Sequence, residues 1–282
     1  MLFLILVMKI LAIGDFHGKF PGWIPQLIRK EKIDLVVSIG DYGPFLYRKL
    51  WFETCYGQNV DFWDVIGKKK YKEVQLKEMR AVEGVFKKLD KLGIQVITVL
   101  GNFDQAKQGG KNDVFDVKKS GWKWAWKDLF TPVLNKYRNI KRFDYKAIKF
   151  GNYVFIGMNG HSFPGKIKSK AYKKSRAKLE KLFRKNRKEK IIFVSHNIAY
   201  NTKLDKVTAE DAHEKAKGKH VGSKLAKRII NKWNPVLHLG GHVHEGMGKD
   251  KIKKTLAVNV GSAHDGEATV IDLEKMRIKF IK

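Results

Sequence analysis

Residues 10–15, 35–41, 96–102, 191–196 and 236–242 are five short apolar runs, each passing through a glycine or serine to a polar residue. Runs this short and rich in Val and Ile predict buried strands. Between them, Trp23, Leu27 and Ile28 recur at helical spacing after Pro21. Leu76, Met79, Val82, Phe86, Leu89 and Leu92 form a longer stripe closed by Gly93. Strands alternating with helices predict an α/β sheet. Residues 143–158 alternate about a Gly151-Asn152 turn, which predicts a hairpin, and 258–281 adds further strands. These mixed pieces fit two packed sheets flanked by helices. No linker, low-complexity tract or repeat divides the chain, so the pattern predicts a single domain over residues 1–282 with insertions at about 43–75 and 106–140.

Composition narrows the class. An apolar fraction of 43% over 282 residues supports a real core and excludes a disordered chain. One cysteine, Cys55, leaves no partner for an internal disulfide, which predicts a reducing, cytoplasmic setting. The apolar start at residues 1–7 is interrupted by Lys9 well short of the roughly 20 residues a membrane span needs. It carries no basic leader or cleavage site, so no stable membrane insertion is expected. We read it as an upstream extension, with the first strand beginning at Met8. The 58 basic and 28 acidic residues give a formal charge of +30. A field of that sign attracts polyanions and makes nucleic acid a possible partner, although lysines are spread along nearly the whole chain.

The chemistry gathers at the ends of the five runs. In open α/β sheets ligands bind outside the carboxyl ends of the strands. Asp15, His17, Asp41, Asn102, His196, His242 and His244 all stand there and are expected to converge on one rim. Asp15 and His17, like His242 and His244, are two residues apart, and in an extended segment such pairs face one side. Taken singly each has a plainer reading: a helix cap for Asp15 or Asp41, a turn for Asn102, a bonded strand-end residue for His196. Together they point to a metal site of mixed N and O donors, suited to Mn, Fe, Zn, Ni or Co.

Gly14-Asp-Phe-His17, Gly40-Asp41, Gly101-Asn102, His196 and Gly241-His-Val-His244 resemble the motif series of the calcineurin-like metallophosphoesterases. The resemblance covers essentially the whole chain. Residues 195–205, 220–223 and 240–245 are similar to an archaeal-type branch of that superfamily. The resemblance implies a four-layer αββα sandwich of mixed sheets. It implies one divalent metal ion held by Asp15, His17, Asp41 and His244, and a second by Asp41, Asn102, His196 and His242, with Asp41 bridging. Asp41, Asn102 and His196 are thereby the expected catalytic residues. The activity implied is hydrolysis of phosphomonoesters or phosphodiesters by a metal-bridging hydroxide. A diester or nucleotide substrate is preferred. Two divalent cations against two carboxylates and one hydroxide leave a positive charge toward the phosphate, and such a pair clamps attacking and leaving oxygens in line.

The chain departs from the pattern at Phe103. Many family members carry there a histidine, paired with an acid, that donates a proton to the leaving group. Phe103 cannot donate. His161 and His264 are candidate replacements, weighed against ordinary loop histidines, and Asp104 is expected to cap the following turn.

Residues 43–72 carry Trp51, Phe52, Tyr56, Phe62 and Trp63, expected to form a compact helical cap beside the rim. Trp122, Trp124 and Trp126 alternate with Lys123, Ala125 and Lys127, a spacing that serves either burial or base stacking. Residues 162–190 hold 13 basic and 2 acidic residues around an apolar face of Tyr172, Leu179, Leu182 and Phe183. That helix either solvates its charge or guides a polyanion. Two alternatives stand beside the leading function. One is a DNA or RNA nuclease, suggested by charge and tryptophans. The other is a non-catalytic metal-binding scaffold, suggested by Phe103. No phosphate-binding loop, dinucleotide fingerprint, serine nucleophile elbow or cysteine pair competes.

Overall fold

The computed structural model describes residues 8–58, 60–104, 122–161, 167–210, 212, 214 and 216–282. Residues 1–7, residues 106–121 of the second insertion and the side chains of Ala125 and Trp126 lie outside them.

Period-two alternation explains why strands from distant parts of the chain stack into layers. In β1 (Lys9–Ile13), Leu11 and Ile13 face one core while Ile10 and Ala12 face another. In β2 (Leu35–Ser38), Val36 joins the first core and Leu35 and Val37 the second. Such strands are buried on both sides and read as continuous apolar runs. β1 pairs in parallel with β2, and β2 with β3 (Val96–Thr98), which pairs in parallel with β4 (Ile140–Arg142). On the other side, β11 (Ala268–Asp272) runs antiparallel to β1 and pairs with β12 (Arg277–Ile281). This six-stranded sheet has the order β12-β11-β1-β2-β3-β4.

The second sheet starts with the predicted hairpin. β5 (Ala147–Phe150) and β6 (Tyr153–Met158) pair with Phe150 opposite Tyr153, leaving Gly151 and Asn152 as the turn, and Gly151 takes the positive φ it needs. β7 (Lys190–Asn197), β8 (Leu237–Gly241), β10 (Thr255–Asn259) and β9 (Gly248–Ile252) complete the order β5-β6-β7-β8-β10-β9.

One core lies between the sheets. A second lies under α1 (Ile24–Glu31), α4 (Lys68–Asp90) and α5 (Phe130–Leu134), and a third under α6 (Lys170–Lys185) and α7 (Lys224–Trp233). The molecule is therefore a four-layer αββα sandwich of two mixed sheets, as the motif series implied. On α4 the buried face runs through Tyr71, Val74, Val82, Phe86 and Leu89, and Leu76 turns away with 46% exposure. Leu76 sits about 100° round the helix from Gln75, which puts it on the solvent side of that stripe.

Candidate metal centre

The strand ends β1, β2, β3, β7 and β8 bring all seven expected residues to one rim. The loops after β1 and β2 run side by side: Asp15 N donates to Gly40 O at 2.8 Å, His17 N to Asp41 O at 3.0 Å and Gly18 N to Tyr42 O at 2.8 Å. The approach is close enough to require glycine at two points. A Cβ on Gly101 would stand 1.9 Å from Asp41 Oδ1, and one on Gly241 2.6 Å from Asp15 Oδ2.

The side chains divide into two touching groups. In the first, His17 Nε2 lies 3.3 Å from His244 Nε2, and His244 Nε2 lies 3.7 Å from Asp15 Oδ1. In the second, His196 Nε2 is 2.7 Å from Asn102 Oδ1, 3.2 Å from His242 Nδ1 and 3.4 Å from Asp41 Oδ2. Ligand atoms of Asp15, His17 and His244, and likewise of Asp15, Asp41 and His196, lie within 4.8 Å of one another.

These contacts fit a cation. His196 Nδ1 donates to Ile39 O at 2.9 Å, so its Nε2 presents a lone pair among other acceptors. Asp15 Oδ1 is buried with no hydrogen-bond partner. Asp41 Oδ1 is fixed by Phe103 N at 2.8 Å, leaving Oδ2 toward the histidines. Charge agrees with packing. Burial pushes His196 down and His242 well down, the latter helped by the His196 charge, and it takes His17 to about 4, so these rings are neutral donors. Burial and the neighbouring Asp15 push Asp41 well up. On Asp15 burial acts upward but is overcome by His196, His244 and His17, holding it below the usual carboxylate range. Burial acts downward on His244 but is outweighed by Asp15, with Asp265 and Asp41 adding to it, so that its value rises to about 9.

The seven residues meet, but not through the extended geometry expected of them. Asp15, His17, Asp41 and His242 have φ of 51°, 44°, 56° and 75°, all in the left-handed region. The turned backbone sends His242 to one group and His244 to the other, the division the motif resemblance implied, where spacing alone placed both on one side. The carboxylate of Asp104 accepts from Asp41 N, Tyr42 N and Gly101 N, each at 2.8 Å, and so clamps the β2 and β3 loops together; the turn it was expected to cap lies outside the described residues. Burial and the charge of Asp41 lift the Asp104 carboxyl to about 7. Asp265, whose Oδ2 is 3.6 Å from His244 Nδ1, was missed. Its place directly after His264 was the available signal.

His264 is exposed with its ring 6.2 Å from that of His17. His161 Nε2 sits 2.9 Å from Ser223 Oγ. Phe103 meets His17 edge-on at 6.1 Å and Phe45 at 4.3 Å. Through Phe45 it joins Trp51 and Phe52 of α2 (Arg48–Thr54), which with α3 (Phe62–Ile66) forms the expected helical cap. Trp122 and Trp124 stack at 5.3 Å and pack on Tyr71, with Lys68 and Lys72 over their rings, so the described tryptophans serve the cap's own small core.

A family model described as calcineurin-like phosphoesterase matches residues 8–246, and the chain belongs to that family, as a metal-dependent phosphoric ester hydrolase. It is similar to the uncharacterized protein MJ1162 of Methanocaldococcus jannaschii, 28% identical over 258 residues that cover 89% of this chain and 87% of that one. One solved crystal structure superposes with a TM-score of 0.67 at 19% identity, covering 98% of this chain and 99% of that one. TT1561 of Thermus thermophilus superposes at 0.61 with 14% identity, over 98% and 99% of the two chains. At these identities the likeness is one of fold. No helix among the described residues is long and apolar enough to cross a membrane.

Proposed function

We propose that this chain hydrolyses phosphate esters, with a phosphodiester or nucleotide preferred, at a centre for two divalent cations. Asp15, His17, Asp41 and His244 would hold one, and Asp41, Asn102, His196 and His242 the other. The observation that carries the reading is the convergence of Asn102 Oδ1, His242 Nδ1 and Asp41 Oδ2 within 3.4 Å of His196 Nε2, beside a second group holding the unpartnered Asp15 Oδ1. Two such cations, drawn from Mn, Fe, Zn, Ni or Co, would supply Lewis acidity and an activated water for attack on phosphorus.

The protein's own groups do the rest. Ile39 O fixes the His196 tautomer and Phe103 N fixes the Asp41 carboxylate. Asp104 keeps the β2 and β3 loops in register. For the proton to the leaving oxygen, which Phe103 cannot give, our candidate is His264, whose exposed ring lies 6.2 Å from that of His17. A single domain carrying insertions at about 43–75 and 106–140 is supported by Phe130 and Leu134 sharing the core of α4. A cytoplasmic setting rests on Cys55 alone.

A screen of chromogenic mono- and diesters and cyclic nucleotides with Mn, Ni, Co, Zn and Mg tests the reading, with elemental analysis of bound metal. Asp41→Asn and His196→Ala serve as blanks. Blanks as active as the parent, or a protein that takes up no transition metal, would sink it. For the proton donor, His264→Ala should slow esters with poor leaving groups more than those with good ones; an equal loss on both refutes the role.

A further inference from the structure

A groove of about 490 Å³ opens on the outer face of the second sheet, between the start of α6 and the exposed side of α7. Lys224, Lys227, Arg228 and Lys232 line it, with Tyr172 beside them, and no carboxylate is among the lining residues. The four cations occupy positions i, i+3, i+4 and i+8 of one helix and so share a face. From 224 to 232 the helix rises about 12 Å, long enough to face more than one backbone phosphate of a strand. Among the described residues little neutralises this face. Glu180 reaches Lys232 at 3.2 Å but is shared with Arg176 at 3.6 Å, and the first turns of α6 and α7 hold no acid.

The helix that carries the groove starts close to the metal rim. Lys224 directly follows Ser223, whose Oγ lies 2.9 Å from His161 Nε2. His161 is bracketed by the side chain of Asn197, the neighbour of His196, through two bonds of 3.0 Å. It also lies near enough to His242 for its charge to act there. Because α7 leads into β8, whose carboxyl end carries His242, the row of cations runs outward from the rim along the helix.

We propose that this groove is a binding site for single-stranded nucleic acid, holding the backbone phosphates on one side of the bond presented to the metal centre. The inference rests on the proposed hydrolase reading and names its substrate class. The site is open to solvent and its charges lie in a line along one helix, matching one strand. A lipid surface would call for a broad face with several protruding apolar groups, whereas here Ile167 protrudes at 52% exposure and Tyr172 is only 7% exposed.

Binding of a short fluorescein-labelled single strand by the full chain, followed by anisotropy with chelator present to stop cleavage, tests this directly. The triple variant Lys224→Gln, Lys227→Gln, Arg228→Gln should bind about tenfold more weakly or worse, with a salt slope reduced by about 0.7 for each phosphate no longer held. A control with Lys87, Lys88 and Lys91 changed to Gln removes the same charge from the opposite helical layer and should stay within about twofold of the parent. In the presence of metal, kcat/KM of the groove variant should fall further on the oligonucleotide than on a small chromogenic diester. Equal weakening in both variants, or undiminished binding by the groove variant, overturns the proposal. So does loss of binding to phosphatidylserine vesicles with oligonucleotide binding intact, which would assign the groove to a membrane. A parent that binds the strand yet turns over no ester leaves the groove standing and removes the hydrolase reading instead.

Discussion

At the metal rim, Asp15, Asp41 and His196 are buried on strand ends, and the loops after β1 and β2 are tied to each other by backbone hydrogen bonds. In the cap beside it, α2 and α3 contain no buried residue, and the aromatic side chains of Phe45, Trp51, Phe52 and Tyr56 hold together through ring contacts such as Trp51–Phe52 at 5.1 Å and Trp51–Tyr56 at 5.9 Å. The rim fixes positions to fractions of an ångström because a cation site tolerates little error. The cap has only to present surface, and half-buried aromatic rings adjust to what they meet. Precision therefore resides in the sheets and adaptability in the insertion.

The largest expected effect breaks the rim. Asp41→Asn should lower hydrolysis by more than about 10²-fold, the upper end of what outer-shell partners of a metal contribute, with melting temperature nearly kept. Steady-state kinetics and metal content check it, and loss of fold with activity would point instead to a structural role. Next, Asp104→Ala leaves three buried N–H groups unpaired, at about 1–3 kcal/mol each, and should lower the melting temperature by many degrees. Asp104→Asn, which keeps an acceptor oxygen, should fall between the two.

On the cap side, Trp51→Ala should reduce kcat/KM for aryl or nucleoside esters by roughly threefold to tenfold, the worth of one aromatic contact, and shift thermal stability little. A larger loss of stability than of activity would contradict that division of roles. The smallest effect concerns the joint between the two regions. Glu78 accepts from Leu46 N at 3.0 Å, and burial lifts its carboxyl to about 7. The folded state then holds this proton more tightly than the unfolded chain, so the stability it gives is full below its ordinary 4.5 and is lost as pH rises through about 7. Glu78→Gln should shrink the difference in melting temperature between about pH 5 and pH 8 relative to the parent.

Much of the rim was legible because strand burial and ligand placement use the same few residues: Ile39 packs between sheets while Asp41, two positions on, faces the histidines. Two packed sheets flanked by helices followed from the same runs, and the motif resemblance implied the four-layer sandwich. What sequence did not reveal depended on contacts between distant loops. Asp104 bonds to residues 62 and 63 positions away, and nothing local marks that partner. The division of His242 from His244 was implied by the motif resemblance, but its physical cause, a positive φ at a non-glycine residue, is one that a period-two argument excludes by construction. β4 and β9 were passed over because their burial is partial and their residues include Lys and Arg, so alternation is faint. The tryptophans at 122 and 124 fitted two readings until Trp63 and Tyr71 were seen against them.

The four left-handed residues of the rim sit under tension. A side chain in that conformation costs roughly 1–2 kcal/mol where glycine would rest at ease, and each of these four positions bears the chemistry. A laboratory evolution campaign rewarding heat resistance alone would thus find glycine at 15, 17, 41 or 242 a tempting relaxation and would return a sturdier, inert scaffold. Any thermostable working variant of this enzyme must gain its added degrees elsewhere and keep the strain at its centre.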